Sequence, residues 1–294
     1  MKIAIIGSGA VGKSIHESLK DDHECYVYNT KNIHDVYNES FDLLLYAGVP
    51  GVKWKAIEDP DTDMWHIMTA YHQFQDIKAD QKVLISTIDA GNPQSMNYGA
   101  NRRLLEKWVA KDGHQAVRLP ALVGKYVVKN QWYDSMHSLP QSMNLEMTKK
   151  VNSISKQYGS EIPLVIKDDN DHVYYTPSKD YWEKHHLGIH LAHHPQSNLV
   201  WLDIDNLGQD IIDLMKQKNN EDAIYTMSSS YNGYINHTIK EMYKLTTGHD
   251  FPIVDDYSTI PIIDHLDTDN DFIPVNTISF SKERKWSFDC YDTR

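Results

Sequence analysis

Cysteine and long apolar runs are both scarce in this sequence. The two cysteines, Cys25 and Cys290, lie far apart and match no metal-binding or redox spacing, as is typical of a chain in a reducing compartment. No run of about 18 apolar residues occurs, so we expect no membrane span and no membrane partner. The apolar stretch after Lys2 ends at Gly7 and is too short for a signal peptide. These absences predict a cytoplasmic protein.

Basic charge is scarce as well. The 29 lysines and arginines are outnumbered by 41 aspartates and glutamates, which gives a net charge of -12. No basic cluster is dense enough to follow a phosphate backbone, so nucleic acid is excluded as an expected partner. The chain has 40% apolar and 24% charged residues, a globular composition, and we expect a small-molecule substrate as its partner. The oligomeric state stays open, with a homodimer as one alternative.

Short apolar runs alternate with amphipathic stretches in the first third of the chain. We predict strands at 3–6, 26–28, 42–47, 82–86 and 115–119. Val11, Ile15 and Leu19 recur at helical spacing, and so do Met64, Ile67, Met68, Tyr71 and Phe74. A third helix is predicted from an N-cap at Ser95 to Gly113. This βαβ rhythm predicts an α/β fold of the Rossmann type, a doubly wound parallel sheet with helices on both faces.

The pattern changes after Gly124. Strands are predicted at 162–166, 172–175, 198–203 and 223–227, with helices capped by Ser178 and Asp205. We assign 1–125 and about 199–230 to a Rossmann domain that binds NAD(P). Residues from about 126 to 198 and from 231 to 294 are assigned to a smaller, C-terminal substrate-binding domain.

A glycine-rich turn follows the first predicted strand. Residues Gly7, Gly9, Ala10, Val11 and Gly12 belong to a GxGxxG motif that leads directly into a predicted helix. The first glycine permits a tight turn, the second lets backbone approach a pyrophosphate, and the third lets helix and strand pack closely. In this context the motif predicts a dinucleotide site with phosphate at the helix N-terminus.

The end of the second strand bears on the choice of cofactor. An NAD enzyme commonly presents an acidic side chain there to the adenosine ribose, but this chain has Asn29, Thr30 and Lys31. An amide, a hydroxyl and a cation suit a 2′-phosphate better than a bare hydroxyl. The sequence therefore favours NADP, with NAD as the alternative, unless Lys31 is simply a solvated loop residue.

Candidate catalytic side chains follow the fourth strand. Thr87 lies at its end, and Tyr98 and Arg102 share one face of the next helix because they are four residues apart. A cation at that spacing can lower the pKa of a phenol and make it a usable acid or base. The alternative is structural, with Tyr98 packed on the sheet and Arg102 paired at the surface with Glu106.

These motifs occur in the order seen in short-chain dehydrogenase/reductases. The glycine turn, residues 42–48, the Ser86-Thr87-x-Asp89 strand end, the Tyr98-x3-Arg102 helix and residues 117–124 most resemble the extended branch of epimerases, dehydratases and nucleotide-sugar reductases. The resemblance covers the chain to about residue 125 and is weaker at 200–212 and after 223.

The resemblance implies hydride transfer to or from a sugar-like or nucleotide-sugar alcohol or ketone. It implies that Thr87 holds the reacting oxygen, that Tyr98 exchanges its proton, and that Arg102 occupies the position of the family's lysine. It also implies cofactor contacts at Ala47, Gly48 and Pro120. The alternative function is a non-catalytic dinucleotide-binding sensor.

The chain departs from the family pattern in three ways. Arginine stands where the family has lysine, and the two are not interchangeable at a tight site. The glycine spacing is GxGxxG instead of GxxGxxG, and only ten residues separate Thr87 from Tyr98. No metal site is expected, because the histidines at 185–194 lack the HExxH pattern and the aspartates at 267–271 lack the glycine and glutamate of a calcium loop.

Overall fold

A computed structural model describes residues 1–127, 130, 165–169, 172–176, 194–218, 223–247 and 262–278. The predicted helix after Ser178 and the first residues of the strand predicted at 162–166 lie outside these ranges. The described helices include none that is long and apolar enough to cross a membrane.

The strands and helices follow one another as the βαβ rhythm predicts. The strands are β1 (Lys2–Ile6), β2 (Glu24–Tyr28), β3 (Ser40–Tyr46), β4 (Lys78–Thr87), β5 (Gln115–Leu119), β6 (Ala121–Val123), β7 (Val165–Asp169), β8 (His172–Thr176), β9 (Asn198–Asp203), β10 (Ile224–Ser230), β11 (Asn236–Thr238) and β12 (Phe272–Thr277). The α-helices are α1 (Ala10–Leu19), α2 (Lys53–Glu58), α3 (Pro60–Asp76), α4 (Tyr98–Lys111), α5 (Leu207–Lys218) and α6 (Ile239–Thr247). Short 3-10 helices cover Ile33–Asn38 and Ile88–Gly91.

Seven strands form one parallel sheet in the order β12-β10-β5-β4-β3-β1-β2. Alternate residues of β1 point to opposite faces, so Ile3 and Ile5 pack with α1 and α5. Ala4 and Ile6 pack with α3 and α4 on the other face. Burial of both faces is the reason that the strands read as continuous apolar runs. The predicted Rossmann-type, doubly wound sheet is confirmed.

The strand order reverses at β1. The chain moves from β1 through α1 to β2 on one side, and then crosses back through the short 3-10 helix to β3 on the other side. Ligands of open α/β sheets bind outside the carboxyl ends of the strands at such a switch point. The glycine turn after β1 and the residues after β3 meet there.

Three local predictions were wrong. Helix α4 begins at Tyr98 instead of near Ser95, because a 3-10 turn and Asn97, at a φ of 49°, come before it. Met68 on α3 is 48% exposed and does not belong to the inward face. The carboxylate of Asp205 accepts a hydrogen bond from the Lys125 amide, and α5 begins two residues later, at Leu207.

The strands after residue 190 belong to different sheets, which bears on the predicted domain division; that division stays a prediction. Strand β9 lies in a separate three-stranded sheet with β6 and β11, although we placed it with the Rossmann domain. Strand β12, from the segment assigned to the smaller domain, lies at the edge of the seven-stranded sheet, parallel to β10. Strands β7 and β8 form an antiparallel pair.

Candidate functional site

The three glycines of the turn differ in what a side-chain Cβ would meet at each position. Gly7 adopts a φ of 108°, and a Cβ there would lie 2.6 Å from the carbonyl oxygen of Ala47. A Cβ on Gly12 would overlap the Gly7 carbonyl group. Gly9 has an ordinary φ of -73° and no atom within 4 Å of an added Cβ. Gly7 and Gly12 are therefore required by the fold, whereas the space over Gly9 is open to a ligand.

The N-terminus of α1 faces this open space. Gly9 is its N-cap, no side chain caps it, and its first turn contains no acidic residue. The first backbone N–H groups of a helix have no partner within the helix, and the helix dipole places partial positive charge there. The turn therefore fits a phosphate group.

A cleft of about 510 Å³ opens beside the turn. Its lining residues are Ile6, Gly7, Ser8, Gly9, Asn29, Thr30, Ile33, Tyr46, Ala47, Gly48, Pro50, Trp65, His66, Thr69, Ala70 and Gln73. Six of the predicted cofactor contacts are among them: Gly7, Gly9, Asn29, Thr30, Ala47 and Gly48. The other five, Ala10, Val11, Gly12, Lys31 and Pro120, do not line the cleft.

The loop after β2 has a defined conformation. The side-chain oxygen of Asn29 accepts a hydrogen bond from the Lys31 amide at 2.9 Å, and Asn32 accepts one from the Asn29 amide at 2.7 Å. Thr30 and Lys31 are exposed. The turn therefore fixes the backbone around Thr30, a cleft residue, while the next residue, Lys31, extends into solvent.

The structure brings Thr87 and Tyr98 together. Thr87 ends β4 and Tyr98 is the first residue of α4, and the Thr87 hydroxyl, which donates to the Asp89 carboxylate at 3.4 Å, lies near enough to the phenol to affect its pKa. Tyr98 is only 7% exposed. Burial raises the pKa of its phenol more than the nearby Arg102 guanidinium and the Thr87 hydroxyl lower it. The expected lowering by Arg102 is thus present, but the net direction is upward.

Arg102 is anchored in the interior. It is 4% exposed and forms an ion pair with the buried carboxylate of Asp63 on α3. Its second amino group donates a hydrogen bond of 2.7 Å to the carbonyl oxygen of Pro50, which lines the cleft. The guanidinium therefore links α4 to α3 and to the loop after β3.

Glu106 pairs with Arg118 and not with Arg102, the partner that helical spacing suggested. It is fully buried and accepts hydrogen bonds from Arg118 on β5, the shortest at 2.7 Å, and from the Ser86 hydroxyl at 2.6 Å. The suggested surface pair between Arg102 and Glu106 was wrong. Because the Ser86 hydroxyl is used by Glu106, Thr87 is the hydroxyl that lies beside Tyr98.

Sequence reasoning missed the contribution of α3 to the cleft. Trp65, His66, Thr69, Ala70 and Gln73 line one side of it, and the side-chain amide oxygen of Gln73 accepts a hydrogen bond from the Tyr46 hydroxyl at 2.7 Å. The helical pattern showed which residues of α3 face the sheet but not what lies beside its other faces. Trp65, a large aromatic residue outside the apolar stripe of this helix, was the signal that the sequence offered.

No family model matches the chain, and no curated protein matches it in sequence. Solved structures share its fold. An NAD-dependent NDP-hexosamine 5,6-dehydratase of tunicamycin biosynthesis has a TM-score of 0.54 at 10% identity, covering 84% of this chain and 80% of its own. UDP-glucuronic acid 4-epimerase from Bacillus cereus, solved with NAD, has a TM-score of 0.52 at 12% identity, covering 95% and 90%.

A third similar structure is dTDP-4-dehydrorhamnose reductase from Bacillus anthracis, solved with NADP. Its TM-score is 0.51 at 16% identity, covering 94% of this chain and 89% of its own. Likeness at these identities shows the fold alone. The resemblance to extended short-chain dehydrogenase/reductases, predicted from the motifs, is confirmed at the level of the fold.

Proposed function

We propose that this chain is an NAD(P)-dependent oxidoreductase or epimerase/dehydratase that acts on a sugar-like or nucleotide-sugar alcohol or ketone. The observation that carries the proposal is the open space over Gly9, at the switch point of the sheet and beside an uncapped helix N-terminus. The Thr87–Tyr98 pair lies at the same edge of the sheet, since β3 and β4 are neighbours.

The residues of the cleft fit a nicotinamide dinucleotide. The amides before α1 would hold the pyrophosphate, and Asn29 and Thr30 would lie beside the adenosine ribose. The nicotinamide ring, when bound, supplies hydride transfer. Lys31 favours NADP over NAD in this proposal, because it is an exposed cation next to Thr30 and could pair with a 2′-phosphate.

Thr87 and Tyr98 would handle the substrate oxygen. The Thr87 hydroxyl positions that oxygen, and the Tyr98 phenol gives or takes its proton. Because burial raises the pKa of Tyr98, the phenol stays protonated at neutral pH and serves best as a proton donor to a carbonyl that is being reduced. In the reverse reaction the phenol must lose its proton before it can accept one from an alcohol, and the Arg102 guanidinium stabilises the tyrosinate that forms.

A second candidate function, a dinucleotide-binding sensor without turnover, is favoured by one observation. The Arg102 guanidinium is committed to Asp63 and Pro50, whereas the family's lysine at this position grips the nicotinamide ribose. Turnover with a panel of nucleotide-sugars and simple ketones separates the two candidates. Hydride transfer to any of them, measured as a change in NAD(P)H absorbance, supports the enzyme.

The dinucleotide site itself is tested by thermal shift with NAD, NADH, NADP and NADPH. A ligand that binds only the folded chain raises the melting temperature by mass action. Gly9→Ala should melt at the wild-type temperature without ligand, because its Cβ meets no atom, and should lose the shift. Gly51→Ala, also unobstructed, is the matched control and should keep the shift. A shift that persists in Gly9→Ala would contradict the proposed site.

A further inference from the structure

Trp65 is the most exposed aromatic side chain of the cleft. It lies on α3, 62% of its surface is accessible, and it lines the cleft together with the glycine turn. A large aromatic ring left in water gains free energy when a flat apolar partner covers it. Its ring meets that of His66 edge-on, with centroids 5.4 Å apart and planes at 64°, so most of the indole stays available.

The orientation of α3 decides which part of a dinucleotide would meet this ring. Asp63 faces α4, where it pairs with Arg102. Trp65 and Thr69 are on another side of the helix and share the cleft with Asn29 and Ile33, at and just after the end of β2. The end of β2 is where dinucleotide-binding folds hold the adenosine half of the cofactor.

We infer that the Trp65 indole is the stacking platform for the adenine ring of the dinucleotide, an inference that rests on the proposed function. The phosphate turn, α3 and the residues after β2 line the same cleft, so a pyrophosphate at Gly9 leaves the space between α3 and the end of β2 for the purine. Stacking on an indole needs no hydrogen-bond partner, and every purine offers a π-face.

Met68 is the matched control, and it tests the alternative that the exposed side chains of α3 contact another protein chain. It is on the same helix, is 48% exposed, and does not line the cleft. If the exposed side chains of α3 form a contact with another protein chain, Trp65 and Met68 belong to the same patch. If Trp65 serves the dinucleotide, the two side chains behave differently.

The experiment is calorimetric titration of the full chain with ADP-ribose, which contains the adenosine half and the pyrophosphate but no nicotinamide. Trp65→Ala should weaken binding roughly 5- to 150-fold. Trp65→Phe should stay within a few-fold of wild type because a phenyl ring also stacks, and Met68→Ala should bind as wild type does. Both positions are exposed, so circular dichroism should show unchanged folding in all three variants.

Tryptophan fluorescence gives a readout independent of affinity. ADP-ribose should quench the emission of the wild-type chain, and the quenching should disappear in Trp65→Phe although that variant still binds. Wild-type affinity in Trp65→Ala would overturn the inference and leave the proposed function intact, as would a change of molar mass in both Trp65→Ala and Met68→Ala without a change in affinity. Failure of the wild-type chain to bind ADP-ribose and all four dinucleotides would overturn both.

Discussion

The guanidinium carbon of Arg102 lies 3.9 Å from the centroid of the Tyr98 ring. This cation-π contact occurs while the same guanidinium pairs with Asp63 and donates to Pro50. Arg102, which the resemblance places at the position of the family's lysine, thus contacts the tyrosine ring and links α4 to α3. The Asp63 carboxylate and the Pro50 carbonyl oxygen provide partners for its bulkier guanidinium.

The proton relay predicts a selective loss in Tyr98→Phe. Hydride transfer should fall roughly 10²- to 10⁴-fold, because a positioned proton donor contributes that much, while dinucleotide binding stays unchanged. Turnover and thermal shift with the same preparation measure the two effects. Tyr71→Phe, which removes a hydroxyl bound to Asp112 at the surface, is the control and should keep full activity. Equal activity in both variants would exclude Tyr98 as the relay.

The buried ion pair predicts strong coupling between Arg102 and Asp63. Arg102→Met leaves a buried carboxylate with Asn101 as its remaining hydrogen-bond donor, and should cost about 3–5 kcal/mol of unfolding free energy. Asp63→Leu combined with Arg102→Met should recover most of this loss, because no buried charge remains. Urea denaturation of the wild type, of Arg102→Met, of Asp63→Leu and of the double variant measures the coupling.

Lys216 is the matched surface control for this cycle. It pairs with Asp213 at 3.7 Å, and both side chains are largely exposed. Lys216→Ala should change the free energy of unfolding by less than about 0.5 kcal/mol. A similarly small effect in Arg102→Met would show that the interior pair contributes little.

The exposed Lys31 after β2 predicts the cofactor preference. Lys31→Ala should weaken NADPH binding roughly tenfold and leave NADH binding unchanged, because only NADPH has a 2′-phosphate. Calorimetric titration with both cofactors gives the ratio. Lys20→Ala removes a cation at the far end of α1, paired with Glu17, and should alter neither affinity. Equal losses for NADPH and NADH in Lys31→Ala would contradict the NADP preference.

Asp210 predicts a pH dependence of stability. Burial raises the pKa of its carboxyl from 3.8 to about 6, against the lowering effect of amide donors on Asn276 and Asn206, and Asp203 and Asp213 raise it further. As pH rises through this window, the unfolded chain releases the proton before the folded chain does. The stability from this group is therefore full below the ordinary pKa and is lost as pH rises through about 6.

Asp210→Asn removes that titration and still offers an oxygen to Asn276, which donates at 2.6 Å to the wild-type carboxylate. The urea midpoint of the variant minus that of wild type should therefore grow in favour of the variant between pH 4 and 7. Asp61→Asn, at an exposed position of α3 on the opposite face of the sheet, is the control for the loss of one carboxylate. A constant difference for Asp210→Asn would rule out a raised pKa.

Much of the fold was accessible to sequence reasoning because the rules involved are local. The apolar run, the three glycines and the helical period of Ile15 and Leu19 specify β1, the turn and α1 within twenty residues. The spacing of Tyr98 and Arg102 also placed both on one face of α4. The start of that helix was misplaced because the 3-10 turn and the positive φ of Asn97 have no clear sequence signal.

The partners of charged and aromatic side chains were not accessible in this way. Arg102 pairs with Asp63, 39 positions earlier in the chain, and Glu106 with Arg118 on a neighbouring strand. Both pairs depend on which helices and strands become neighbours. For the same reason the helical period of α3 did not reveal that Trp65 lines the cleft.

The sequence by itself determined the βαβ order, the glycine turn and the side chains that end β2 and β4, since these follow from backbone sterics and hydrophobic periodicity over short distances. The tertiary structure decided the strand order, the place of β12 beside β10, the burial of Tyr98 and the partner of Arg102. Those features arise when segments distant in sequence bury apolar surface together, and the desolvation that results sets both the pKa of the phenol and the need of each buried charge for a counterion.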